Sequence, residues 1–233
     1  MVNSSTGERE IKSMEEKSLA VSLVNSFGSE VSSCVGEIAE IGLDAILEDG
    51  MLKEIPFIST AMSIYRMGKS IHERHNIAKL VVFLNEINQG TADETEREKY
   101  YAKFKDNERF RSRELEYILI LIDRYIDYDK PVMLAKLYLA YLREFISWHE
   151  LTMYAEAVDR FLIGDEKLLY VNETAKVTRK HANSGLARLT ALGLMIENIT
   201  WAEVSGETLN LSNGEECQYE LTPFGRKLAN ILC

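Results

Sequence analysis

His72-Glu73-Arg74-His75 pairs two imidazoles with a carboxylate, the residue types from which a hydrolytic zinc site is built. Such a site needs its histidines four apart on a helix, so that both rings meet one metal with the glutamate beside it as general base. Here the spacing is three, which reads as a solvated helix face, and no metal is expected. Nucleophilic chemistry fares no better, because the chain has no G-x-S-x-G elbow and no obvious triad. Cys34, Cys217 and Cys233 are odd in number and far apart, which suits thiols in a reducing compartment rather than a disulfide or zinc framework. Neither G-x-x-x-x-G-K-[ST] nor G-x-G-x-x-G occurs, so no phosphate-binding loop and no cofactor are expected. The carboxylates fall mostly at helical surface positions, where charge serves solvation. An enzyme would need a site assembled from distant positions, and the reading is non-enzymatic, with no small-molecule substrate inferred.

The elements that would position any site are helical. Only three prolines and long runs of strong helix formers predict a mainly α chain, and 233 residues suffice for a substantial core. A net charge of -10 opposes non-specific affinity for nucleic acid or anionic membrane. The opening residues to Lys17 are polar and charged, read as a flexible arm, and lack the apolar stretch of a secretory signal, so a cytoplasmic location is expected. The N-x-Ser/Thr triplets at Asn3, Asn172, Asn198 and Asn210 then carry no glycosylation meaning.

Residues 18–165 are expected to form a multi-helix body. Val31, Val35, Ile38, Ile41, Ala45 and Ile46 recur at three- and four-residue steps and describe one helical face, stopped at Asp49-Gly50. Pro56 suits a first helical turn, and without a firm breaker before Asn88-Gln89-Gly90 the spacing predicts one helix over about 56–88, roughly 50 Å long, with Gly68 as a kink. Thr91 with Glu94, and Ser147 with Glu150, have the spacing of capping boxes, and Ser112 is placed to cap the apolar helix that follows it. Short connections make the helices over about 112–163 antiparallel neighbours. Tyr117, Tyr125, Tyr138 and Tyr141, with Met62, Met67, Met133 and Met153, read as core packing. Ile55, Phe57, Ile58 and Met62 offer a second reading, an apolar 31–67 region that acts on a membrane, although Glu48, Asp49 and Glu54 flank it with the wrong charge for an anionic surface.

Residues 166–233 follow a different plan. Between Glu173 and Glu197 there is no acidic residue, while Lys176, Arg179, Lys180 and Arg188 are basic. GLARLTALGLMIEN predicts a helix stopped by Gly193 and then a strand with Ile196 and Ile199 turned inward. Asn213-Gly214 suits a tight turn, and YELTPFGRKLANIL predicts a second strand and a closing helix capped by Thr222 with Pro223 at its first position. Leu186, Leu189, Leu192, Gly193, Leu194 and Ile196, then Tyr219, Leu221, Thr222 and Gly225, resemble the winged-helix pattern of bacterial regulators of the MarR and PadR type. That resemblance covers about a quarter of the chain. It implies a small α+β domain whose recognition helix would touch nucleic acid through Lys176, Arg179, Lys180, Asn183 and Arg188. Glu203, Glu207, Glu215 and Glu216 make its wing acidic, which disfavours phosphates and favours a protein ligand. The stretch from Arg111 to Leu162 also resembles compact helical domains of bacterial stress and phage-defence proteins, a likeness of fold alone. The expected function is binding, by protein–protein or self-association, with a DNA-binding regulator and a membrane effector as alternatives.

Overall fold

A computed structural model describes residues 19–28, 51–64, 71–91, 93–170, 174–178, 184–199 and 216–232. The fold is mainly helical, with a small sheet near the C-terminus. The predicted helix over 31–46, its Asp49-Gly50 stop, Gly68, Met67 and the Asn213-Gly214 turn lie outside the described residues. The chain divides into two compact units, Met1–Leu151 and Thr152–Cys233. The boundary falls inside a helix, and Tyr154 on that helix stacks on Phe224, ring centroids 4.3 Å apart. Its hydroxyl also donates to the Phe224 carbonyl at 3.3 Å.

In the first unit, α1 (19–25) buries Leu19, Ala20, Leu23 and Val24. It is followed by α2 (Met51–Glu54), α3 (Pro56–Ile64), α4 (Ile71–Gly90), α5 (Glu94–Asp106), α6 (Glu108–Arg124), α7 (Asp129–Leu142) and the start of α8 (Trp148–Asp159). Pro56 does open a helix, and the Phe57 N–H, which no intrahelical carbonyl can reach, donates to Ser26 Oγ at 2.8 Å. The single rod predicted over 56–88 does not form. Phe57 and Phe83 have ring centroids 6.5 Å apart, whereas the intervening length of continuous helix would separate them by about 39 Å. α3 therefore folds back on α4, and both bury their apolar residues together. α4 packs most extensively on α7, where Phe83 meets Tyr138 at 6.3 Å between centroids. Gly90 ends α4 as expected, but for reasons of space: a Cβ there would lie 2.2 Å from Leu139 Cδ1.

Two predicted caps are corrected. Asp93, not Thr91, caps α5 by accepting from the Thr95 N–H at 3.0 Å, while Thr91 is buried and donates back to the Ile87 carbonyl at 2.8 Å. Ser112 lies a turn inside α6, fully enclosed, because that helix begins at Glu108. The Ser147–Glu150 box forms in both directions, Ser147 N–H to Glu150 Oε2 at 2.8 Å and Glu150 N–H to Ser147 Oγ at 3.2 Å.

The second unit continues from α8 through the left-handed Gly164 (φ 96°) and a 3-10 turn, Asp165–Leu169. It then runs β1 (Thr174–Thr178), α9 (Ser184–Ala191), β2 (Met195–Ile199), β3 (Glu216–Leu221) and α10 (Pro223–Leu232). β3 is central in an antiparallel sheet ordered β1-β3-β2, pairing Ala175 and Glu197 with Tyr219 from either side. β1 adds a strand to the two expected. Gly193 closes α9 at φ 72°: its N–H reaches the Thr190 carbonyl and that of Leu194 reaches Leu189, the paired bonds that satisfy a helix end. On β2 Met195 is buried and Ile196 is exposed, contrary to the expectation for Ile196; the Ile199 side chain lies outside the described residues. Thr222 Oγ1 accepts from the Gly225 N–H at 2.9 Å and donates to the Gly193 carbonyl at 2.7 Å, tying α10 to the end of α9. A Cβ on Gly225 would sit 2.0 Å from the Leu194 carbonyl oxygen, so only glycine allows that approach. Gly225, Leu228, Ala229 and Leu232 form the buried face of α10 at helical spacing.

Candidate functional site

α9 forms because Leu186 and Leu189 share a face that the sheet and the 3-10 turn can bury. That orientation carries Arg188 toward Asp165. Arg188 Nε and Nη2 reach the two Asp165 carboxylate oxygens, each at 2.8 Å, and Asp165 Oδ2 also accepts from the Leu162 N–H at 2.9 Å. The Asp165 hydrogen bonds hold the Arg188 guanidinium above its ordinary value. Lys176 stands on β1 opposite Gln218. Arg179, Lys180 and Asn183 lie outside the described residues.

Of the apolar 31–67 region considered for a membrane, only residues 51–64 are among those described. Ile55, Phe57 and Ile58 are buried and Met62 is half-buried. In this conformation the first three present no apolar face outward. Among the described residues no helix is long and apolar enough to cross a membrane.

His72 and His75 have a structural partner. With Asn76 and Lys79 they fall at steps of three, one and three along α4, one polar stripe that grips the C-terminal end of α6. His72 Nε2 lies 3.2 Å from Asp123 Oδ1, and Asn76 Nδ2 donates to the same oxygen. His75 Nε2 donates to the Ile126 carbonyl at 2.7 Å, which leaves Nδ1 to accept from the Tyr128 hydroxyl at 2.9 Å. Lys79 is fully enclosed and donates to the carbonyls of Asp123 at 3.2 Å and Tyr125 at 2.5 Å. Its cation thus meets the negative end of a helix. Burial pushes its pKa down to about 8, against the pull of Asp123. No group of three or more metal-binding side chains occurs among the described residues.

A second polar cluster sits between α6 and α7. Glu114 accepts from Arg111 Nη1 at 2.8 Å and from the Tyr141 hydroxyl, which itself accepts from Arg111 Nη1 at 2.6 Å. Burial raises the Glu114 carboxyl above its ordinary range, although both hydrogen bonds oppose it. Burial also pushes Tyr141 up to about 12 and Tyr138 well above its ordinary value. Trp148 packs edge-on against Tyr141 and Tyr117, at 5.4 and 5.7 Å between centroids. Sequence reasoning took these tyrosines as core, which holds for Tyr138 while Tyr117 and Tyr141 are half-buried, and it missed the carboxylate beside them. Its signal was the i, i+3 pair Arg111–Glu114 just before the apolar run Tyr117–Ile122 of the same helix.

No family model, curated protein or solved structure matches the chain.

Proposed function

We propose that the chain is a non-enzymatic interaction protein of the cytoplasm that works by protein–protein association, self-association included. Its C-terminal unit serves as a winged-helix-like scaffold whose ligand is protein. The order strand, helix, strand, strand, helix, with β3 central, supports the scaffold. The observation that carries the choice of ligand is the Arg188–Asp165 pair. A helix that reads DNA must release its arginines to phosphates or base edges. Arg188, on the helix that would do so, is already held by two charge-assisted bonds to a buried carboxylate.

DNA binding is the second reading, favoured by the absence of acidic residues between Glu173 and Glu197. Fluorescence anisotropy with duplex DNA at low salt separates the two, alongside sedimentation velocity over a range of protein concentrations. The expected result is no DNA binding and a mass that rises with concentration or with an added partner. Salt-sensitive DNA binding that Lys180→Glu abolishes would replace protein with DNA as the ligand. Arg188→Glu is a poor probe, since it sets a second carboxylate against Asp165 and disturbs the fold. A strictly monomeric chain that recovers no partner from a native pull-down would remove the association reading.

A further inference from the structure

The Tyr138 side chain is wholly enclosed, and its hydroxyl has no hydrogen-bond partner among the described residues. Arg111 Nε, close by, is buried and likewise unpartnered. The Tyr138 hydroxyl lies within electrostatic reach of Glu114, Arg111 and Tyr141, so its surroundings include the buried carboxylate cluster. The Tyr138 and Tyr141 rings are 6.1 Å apart at their centroids, one turn apart on α7. Glu114 accepts two hydrogen bonds, and an ionised carboxylate has sites for about four. Two donors thus lack an acceptor beside an anion with spare lone pairs, and among the described residues no protein atom accepts from either.

A buried hydroxyl with no partner shifts a folding equilibrium toward the unfolded chain by about tenfold. Phenylalanine would fill nearly the same volume without that cost, so a tyrosine here needs a partner. We propose that the cluster is a binding site for a single water molecule. The water accepts from the Tyr138 hydroxyl and from Arg111 Nε and donates to the Glu114 carboxylate. Three polar partners are what an internal water ordinarily takes. A larger guest would need an opening to solvent that the enclosed Tyr138 side chain does not provide. The site joins α6 to α7 through a solvent molecule where the direct bonds, Arg111–Glu114–Tyr141, stop short. It is independent of what the C-terminal unit binds.

A crystal structure of the full chain at water-resolving resolution, with urea denaturation of parent and Tyr138→Phe, tests the site. The expected result is a density peak within hydrogen-bond distance of Tyr138 Oη in the parent, absent from the variant, and an unfolded-to-folded ratio about tenfold higher for the variant. A Tyr138 hydroxyl bonded directly to a protein atom would overturn the proposal. So would a Tyr138→Phe chain as stable as the parent or more so.

Discussion

Arg111–Glu114 in the first unit and Arg188–Asp165 in the second join the same chemical groups at different depths. The Glu114 side chain is 3% exposed and its arginine 17%; Asp165 is 6% exposed and its arginine 31%. Glu114 takes a single nitrogen of Arg111 and needs Tyr141 to complete its contacts. Asp165 takes the forked face of Arg188 and a backbone N–H as well. Both carboxylates are out of water, so each depends on its donors. The cations differ: Arg188 has a nearby route to solvent, and Arg111 is hemmed in by α7 and stands 5.3 Å from the Tyr141 ring centroid. Such pairs add little over an apolar core, yet breaking one by removing a single partner strands the other. The comparison therefore predicts that the loss on breaking follows the depth of what is left behind.

The largest effect should come from Arg111→Leu, which leaves Glu114 buried with Tyr141 alone. The expected cost is about 3–5 kcal/mol in urea denaturation followed by circular dichroism. Its sign with pH is fixed by the carboxyl. A group whose folded pKa is raised favours folding while protonated, below the ordinary carboxylate range, and that contribution is lost as pH rises through its folded value. Burial already raises Glu114, and without Arg111 the rise is larger. The deficit should be greatest near pH 8 and shrink toward pH 5. A deficit that does not change with pH would mean that lost packing, not a stranded charge, is responsible.

Asp165→Ala breaks the second pair from the other side and should cost less, about 1–2 kcal/mol. Arg188 turns toward water, and the main loss is the acceptor for the Leu162 N–H. The damage should be local, visible as faster proteolytic cleavage within residues 160–170. A cost equal to that of Arg111→Leu would show that depth does not order the two pairs.

Most of the fold was legible where the signal was local. The Gly193 stop, the Thr222 cap with Pro223 and the face of α10 follow from spacing and backbone chemistry within a few residues. Other features depend on partners far along the chain. Thr174–Thr178 is too short for its β-branched residues alone to mark a strand; it becomes one by pairing with β3 about forty residues later. No breaker divides residues 56–88, and the fold-back is set by Phe57 meeting Phe83. The polar sites divide in the same way. The basic residues of the C-terminal unit were visible as composition, but the carboxylate that holds Arg188 lies 23 residues away. The spacing of His72 and His75 excluded the zinc signature without naming their partner, because the end of α6 reaches them only through tertiary packing.

Lys79 extends the comparison to a cation deeper than either arginine, with carbonyls in place of a carboxylate as its hydrogen-bonded partners. A lysine with a depressed folded pKa favours folding in its neutral form. Between about 8 and its ordinary 10.5 the unfolded chain binds more protons, so stability rises with pH across that window. The slope from this one group is at most ~1.4 kcal/mol per pH unit. Methionine keeps the length of the stem and removes the proton, so Lys79→Met should differ from the parent by under about 1 kcal/mol at pH 7. It should then fall progressively behind as pH climbs toward 10. The difference between the two urea midpoints, taken at each pH, isolates Lys79 from the other lysines and tyrosines that titrate nearby. Parallel curves from pH 7 to 10 would mean that Lys79 keeps its ordinary affinity for protons, and that the carbonyls at the end of α6 stabilise a buried ammonium as well as water does.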